Sequence, residues 1–181
     1  MTDLDRALND LDTTREAWIA RVEALSDDQR AFRPGPDAWS PVEIAEHLWR
    51  TEKGLAWGLD RQVQAGDDRR DLGPRQPGAM DRLAAAMDGG GRRKMPESAA
   101  RHIAPRGASW DEVRAGWRAT GNEWRRVATT VPDALAETGV LFHAIAGPLT
   151  PAEGARFAAL HAEHHGHQLD RVEADAGFPT A

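Results

Sequence analysis

Four of the seven histidines lie in the short segment HAEHHGHQL. If this segment is helical, His161 and His165 project within about 40° of each other and one turn apart, so both imidazoles can reach one ion. Gln168 lies about 20° from His161 and His164 about 60° away, whereas His167 turns more than about 100° off this face. The spacing indicates a metal-ligand pair, although surface histidine clusters also occur without a metal, and it predicts a solvent position for His167.

A third ligand has to come from His47, His102 or His143, which are the remaining histidines. His47 is the best placed, because it lies on the apolar side of a well-capped predicted helix. A lone histidine on such a face is more often a hydrogen-bonded core residue than a ligand. Three histidines with open positions would suit catalysis, whereas His143 as a fourth ligand would make a closed, structural site.

Several other classes of active site are excluded by the residues present. The chain has no cysteine, which rules out disulfides, thiolate nucleophiles and cysteine-ligated zinc. Ala162 follows His161, and Glu163 turns about 200° away from it, so the zinc-protease motif His-Glu-x-x-His is missing. No nucleophile elbow, phosphate-binding loop or dinucleotide fingerprint is found.

Charge and hydropathy argue against nucleic acid and a membrane as partners. The net charge is −6, which opposes attraction to phosphate backbones, and the basic cluster at 92–94 lies in a glycine-rich stretch. No apolar run approaches the about 20 residues of a membrane span, and the first ten residues do not resemble a secretory signal. We expect a cytoplasmic protein with one domain over residues 1–181.

The elements that position these histidines are four long predicted helices. Apolar periodicity predicts helix one over about 3–25, followed by a proline- and glycine-rich loop. Ser40-Pro41-Val42-Glu43 and Thr150-Pro151-Ala152-Glu153 each combine a hydroxyl N-cap, proline at the first helical position and glutamate at the third. They start helix two, to about Gln64, and helix four, over about 151–175.

A long crossover over 66–107 separates helix two from helix three, which is predicted over about 110–131. The crossover contains a short helical piece at 79–87 and a flexible stretch at 89–97, and such long loops are usually functional or mobile. The apolar run 140–145 is too short to distinguish a strand from a turn and is left irregular. The predicted fold class is all-α, a four-helix bundle with one long crossover.

The pattern resembles the DinB/YfiT-like superfamily, which includes bacterial damage-inducible proteins of unassigned activity and metal-dependent thiol transferases. The segment WSPVEIAEHL, ending at Leu48, is similar to the family's Trp-Ser-x-x-Glu-x-x-x-His-Leu opening of helix two. HAEHHGHQL, ending at Leu169, is similar to its closing His-x-x-x-His-x-x-Gln motif, and GPLTPAE to the lead into its last helix. The crossover has no counterpart that can be aligned.

The resemblance implies an up-down-down-up bundle that frequently dimerises. It also implies that His47, His161 and His165 bind one divalent ion, most often zinc or nickel. Glu43, one turn before His47, could orient an imidazole, but its capping-box role is the preferred interpretation. Gln168 could bond a ligand or simply pack, and exposed tryptophans such as Trp57 or Trp110 could mark a dimer face.

Two functional hypotheses follow from these residues and from the family. The first is a metal-dependent transferase or hydrolase of small molecules, in which the ion lowers the pKa of water or of a bound low-molecular-weight thiol. The second is a non-catalytic metal-binding or stress-response module whose site stabilises the bundle. A weaker third interpretation is an interaction bundle whose histidines are merely packed.

Overall fold

Four long helices form the bundle in the computed structural model, which describes residues 1–88 and 97–180. In chain order the elements are α1 (Asp3–Glu23), α2 (Asp27–Ala31), α3 (Pro41–Gln64), α4 (Ala79–Met87), α5 (Glu97–Ile103), α6 (Trp110–Ala128), α7 (Asp133–Ala136), β1 (Leu141–His143), β2 (Gly147–Leu149) and α8 (Pro151–Glu173). The long helices α1, α3, α6 and α8 correspond to the four predicted ones, so the all-α bundle is confirmed.

Capping boxes fix where the long helices begin. A Ser or Thr side chain accepts the backbone N–H three residues later, and the side chain at that position accepts the cap's own N–H. The boxes predicted at Ser40 and Thr150 are present, and Ser109 forms one with Glu112 at the start of α6. Thr2 forms another at α1, and Ser26 pairs with Gln29 to start α2 inside the segment predicted as loop.

Ion pairs between α1 and α8 show that these two helices run parallel. At their N-terminal ends the Asp3 carboxylate pairs with Arg156. At their C-terminal ends Arg21 Nη2 lies 2.7 Å from Glu173 Oε2. Pairing of start with start and of end with end requires the same direction for both helices.

The helices α3 and α6 are also parallel to each other, and both oppose α1. Along α3 and α6 the contacts advance together, from Trp49 Nε1 to Thr120 Oγ1 at 3.2 Å to Arg126 Nη2 and Asp60 Oδ1 at 2.6 Å. Between α1 and α6 the order is reversed, because the later residue of α6 pairs with the earlier residue of α1. The ion pairs are Glu23 with Arg114, Glu16 with Arg118, and Asp12 with Arg125. The topology is therefore up-down-down-up. The chain has to return along the bundle between α3 and α6, which explains the long crossover.

The crossover and the segment before α8 contain more structure than predicted. The helix α4 was predicted, but α5 was not, and the predicted flexible stretch at 89–97 falls almost entirely outside the described residues. Residues left irregular form an antiparallel hairpin, with Leu141 opposite Leu149 and His143 opposite Gly147. The helix α6 ends at Ala128, three residues before the predicted boundary, because the chain turns at Thr129.

Most of the tryptophans pack against other side chains, with one clear exception. Trp18, Trp117 and Trp124 are buried. Trp57 is 64% exposed, whereas Trp110, predicted as a second exposed tryptophan, packs against the apolar cluster around Val113 instead. No helix in residues 1–88 and 97–180 has the length and hydropathy needed to cross a membrane. The homodimer remains a prediction.

Candidate metal centre

Three imidazoles converge where the N-terminal part of α3 faces the middle of α8. His161 Nε2 lies 3.3 Å from His47 Nε2 and 3.1 Å from His165 Nε2. Zinc bonds an imidazole nitrogen at about 2.0–2.1 Å, so two nitrogens sharing one ion are about 3.0–3.4 Å apart. These two separations already match those of ligands to a common ion.

Hydrogen bonds on the far side of two of these rings define their tautomers. His47 Nδ1 lies 2.9 Å from the carbonyl oxygen of Ile103, and His165 Nδ1 lies 2.8 Å from Gln168 Oε1. An oxygen acceptor requires Nδ1 to carry the proton, which leaves the lone pair on Nε2, the atom that faces His161. Such partners orient metal-binding histidines and raise their basicity.

Burial keeps the three imidazoles neutral at physiological pH. Desolvation lowers the pKa of His47 from 6.5 to about 4, although the bond to Ile103 opposes this shift. Desolvation, together with the nearby imidazole of His47, lowers the pKa of His165 to about 3. Desolvation, together with the nearby imidazoles of His165 and His47, also holds the pKa of His161 well below 6.5. Neutral imidazole is the form that binds a metal, so no proton has to leave at pH 7.

The number of protons in this cluster also favours a cation. Nε2 of His47 and Nε2 of His165 are both acceptors, and neutral His161 has at most one N–H to direct at either of them. At least one pair of facing nitrogens therefore presents two lone pairs to each other, an arrangement that a shared positive ion relieves. The donor set thus fits a divalent metal of the borderline class, such as zinc or nickel.

Two aromatic rings that were not singled out as site residues enclose the imidazoles. The Trp39 ring centroid is 4.9 Å from that of His47 and 6.4 Å from that of His165. Phe157 stacks on His161 at 5.5 Å. Both had a possible sequence signal, because Trp39 opens the segment that contains His47 and Phe157 precedes His161 by one helical turn. Their apolar surface excludes water and strengthens local electrostatics.

The other predicted site residues surround the cluster in different ways. Among the described residues, the group of converging ligand atoms contains only His47, His161 and His165. His143 packs against Phe157, with ring centroids 4.5 Å apart, and its Nδ1 accepts the N–H of Ile145. His143 is therefore not positioned as a fourth ligand here. His102 is exposed, and its backbone carbonyl is what faces α3.

Gln168, His164 and Glu43 each have a defined partner. Gln168 Oε1 accepts a hydrogen bond from His165 Nδ1, so of its two predicted roles it has the one of bonding a ligand. His164 Nδ1 donates to the carbonyl of Met87 at 2.7 Å and so ties the end of α4 to α8. Glu43 forms the capping box with Ser40 and an ion pair with Arg33, which is the preferred of its two predicted roles. His167 is exposed, as expected.

Comparison with known proteins identifies the family. The family model described as "DinB superfamily" matches residues 10–169, which is most of the chain and includes all three histidines. The chain belongs to the DinB superfamily.

The chain was also compared with solved structures and with curated proteins. The crystal structure of TT2238, described as a four-helix bundle protein, has a TM-score of 0.47 and 20% identity with this DinB protein, covering 94% of this chain and 98% of the other. No curated protein matches the sequence. Family membership accords with the three-histidine group, and the resemblance predicted from the two histidine motifs is confirmed.

The site of this DinB protein is enclosed but not sealed. His47 and His165 are buried, whereas His161 keeps part of its surface exposed. Three protein ligands leave at least one position free on a four-coordinate ion, which is the arrangement of catalytic zinc sites.

Proposed function

We propose that this DinB protein is a metal-dependent transferase or hydrolase of small molecules. The observation that supports it best is the convergence of His47, His161 and His165 into a neutral, three-nitrogen set with no fourth protein ligand among the described residues. A structural site would be closed by four ligands, and His143, the candidate for that position, bonds elsewhere. The ions we propose are zinc or nickel, since imidazole ligands suit both.

The protein's own residues have separable tasks in this proposal. His47, His161 and His165 would hold a divalent cation, whose positive charge would stabilise an anion developing on a bound small molecule at neutral pH. Gln168 keeps His165 in the tautomer that presents Nε2. Trp39 and Phe157 exclude water from the imidazoles, which strengthens electrostatic interactions within the site.

The co-substrate we propose is a low-molecular-weight thiol. The chain has no cysteine, so a nucleophilic sulfur has to come from a second small molecule. Transfer then joins that sulfur to an electrophilic carbon while the leaving group departs with the bonding pair, and the thiol proton is released to solvent. In hydrolysis, water takes the place of the thiol.

Metal content tests the site directly. We would purify the untagged protein without chelator and measure bound metal by plasma mass spectrometry for the wild type, His161→Ala and His167→Ala. His167 is a matched control, since it lies on the same helix but is exposed. We expect one equivalent in the wild type and in His167→Ala, and none in His161→Ala. A wild type that is empty and cannot be loaded with zinc or nickel would rule the proposal out.

Catalysis requires a separate assay. The metal-loaded protein is incubated with a panel of bacterial thiols and a chromogenic electrophile, beside His47→Ala, His165→Ala and His167→Ala. The proposal predicts that only His167→Ala retains the wild-type rate. A wild type that binds metal but is inactive across thiol transfer and hydrolysis would leave a non-catalytic metal-binding module.

A further inference from the structure

The end of the crossover is attached to α3 by three side chains that follow one another closely in sequence. His47 Nδ1 donates to the carbonyl of Ile103, and Arg50 donates to the carbonyl of His102 through Nε at 3.2 Å and Nη2 at 2.9 Å. These two carbonyls belong to the last residues of α5, where a helix leaves carbonyl groups without intrahelical partners. A candidate metal ligand therefore also serves as a cap for another helix.

Glu46, beside His47 in the sequence, holds the next part of the same segment. It is only 1% exposed. Its Oε1 accepts the backbone N–H of Arg106 at 2.8 Å, and its Oε2 accepts those of Gly107 at 3.0 Å and Ala108 at 3.1 Å. Gly107 has a φ of +82°, a left-handed conformation that brings successive N–H groups to one side of the chain.

These contacts explain how an irregular segment can present one carbonyl oxygen accurately to an imidazole. A carbonyl at the end of a short helix has little to fix it, because neighbouring residues in a loop move easily. Here Arg50 holds the carbonyl just before Ile103, and Glu46 holds the backbone three to five residues after it. The carbonyl between them is fixed from both sides.

We propose that Glu46 and Arg50 are positioning residues for His47. They hold the Ile103 carbonyl against Nδ1, so that the proton stays on Nδ1 and the Nε2 lone pair is directed at the metal. This inference rests on the proposed metal site but extends it, because it assigns to two residues that do not contact the ion a role in its affinity. Outer partners of metal-bound histidines typically contribute about 10- to 100-fold in affinity.

The variants are Glu46→Gln and Arg50→Met, with Glu43→Gln as the matched control. Glu43 lies on the same helix and also accepts a backbone N–H. That N–H belongs to Ser40, however, and not to the crossover. Arg50→Met keeps the stem of a side chain that is 18% exposed, so it tests the proposal even if Glu46→Gln does not fold. Circular dichroism and thermal melting establish folding.

Two readouts distinguish positioning from general stability. In the metal-free protein, ¹⁵N chemical shifts of the imidazoles report the tautomer of His47, and we expect the pure Nδ1–H form of the wild type to become a mixture in Glu46→Gln and Arg50→Met. Zinc affinity, measured by competition with a chromophoric chelator, should fall about 10- to 100-fold in both and stay within about 2-fold in Glu43→Gln.

Folded Glu46→Gln and Arg50→Met proteins with an unchanged His47 tautomer and wild-type zinc affinity would overturn the inference. A wild type that binds no metal would instead refute the proposed function. In that case the tautomer measurement, made without metal, still decides whether Glu46 and Arg50 position the ring.

Discussion

Arg15 and Glu52 form a buried ion pair in the middle of the bundle, with Arg15 Nη2 2.7 Å from Glu52 Oε1 and side chains only 4% and 3% exposed. Trp117 Nε1 donates to the other carboxylate oxygen at 2.6 Å. One apolar cluster lies on the side of Leu11 and Trp124, and a second on the side of Trp18 and Trp117. The pair therefore forms a polar layer between the two halves of the core.

Removing one partner of this pair should destabilise the protein strongly. Arg15→Met leaves a carboxylate buried without its counter-charge, which typically costs about 3–5 kcal/mol. We expect urea unfolding to show a loss of this size in the free energy of unfolding. Arg118→Met is the control. It removes an exposed ion pair between Arg118 of α6 and Glu16 of α1 and should cause a much smaller loss. Equal losses in the two variants would contradict the buried layer.

Gly121 in α6 should not accept even a methyl group. A Cβ at this position would overlap the Arg15 guanidinium, with Cζ at 2.7 Å, and that group is held by Glu52. Gly121→Ala should therefore lower the free energy of unfolding by about 1–3 kcal/mol, as overpacking does. At Gly54 in α3 a Cβ meets nothing within 4 Å. Gly54→Ala should instead stabilise by up to about 1 kcal/mol through helix propensity, and the opposite signs can be compared in one denaturation series.

Acid should destabilise the metal-free protein through its buried histidines. The pKa of His47 is about 4 and that of His165 about 3 in the folded state, against about 6.5 when unfolded. Between these values the unfolded chain binds protons that the folded one does not, so stability is complete above about pH 6.5 and falls as the pH drops toward 4. Each histidine contributes a slope of about 1.4 kcal/mol per pH unit.

Urea unfolding of the chelated protein at pH 7, 6 and 5 measures this slope. His165→Ala should reduce it and exposed His167→Ala should leave it much closer to the wild-type slope. A wild-type stability that stays level over this range would mean that the imidazoles take up protons while the protein is folded.

Zinc affinity should be nearly independent of pH over the same interval. Three ordinary histidines would be mostly protonated at pH 5.5 and would each lose about 10-fold in availability. Burial lowers the pKa of His47 to about 4 and that of His165 to about 3, and it holds the pKa of His161 well below 6.5, so protons compete little with the ion. Chelator competition at pH 7.5 and 5.5 should give dissociation constants within about 3-fold of each other, whereas a loss of 100-fold or more would contradict the buried, neutral site.

Zinc should also protect the fold against heat. An ion that binds only the native state adds about 2.7 kcal/mol of stability at 100 times its Kd, and a domain of this size gains about 2–4 °C per kcal/mol. We therefore expect the Tm of the wild type and of His167→Ala to rise by about 5–10 °C with zinc. His161→Ala should show no rise, and the same rise in that variant would place the ion elsewhere.

The sequence by itself determined the local features of this protein. Capping boxes and apolar periodicity located the long helices, since both depend on residues within one or two turns of each other. The same locality identified His161 and His165 as neighbours, because a four-residue spacing on a helix sets their separation before any tertiary contact forms. The apolar periodicity and capping of the second long helix likewise indicated His47 as the best-placed third histidine.

Only the tertiary structure decided what surrounds those ligands. The carbonyl of Ile103 reaches His47 across 56 positions of sequence, and any residue type offers the same carbonyl, so no side chain signals the contact. Glu46 and the Arg15–Glu52 pair are charged residues on core-facing positions, where periodicity alone predicts apolar ones. Their burial is possible because backbone N–H groups and an opposite charge from distant parts of the chain meet them there, and only folding brings those partners together.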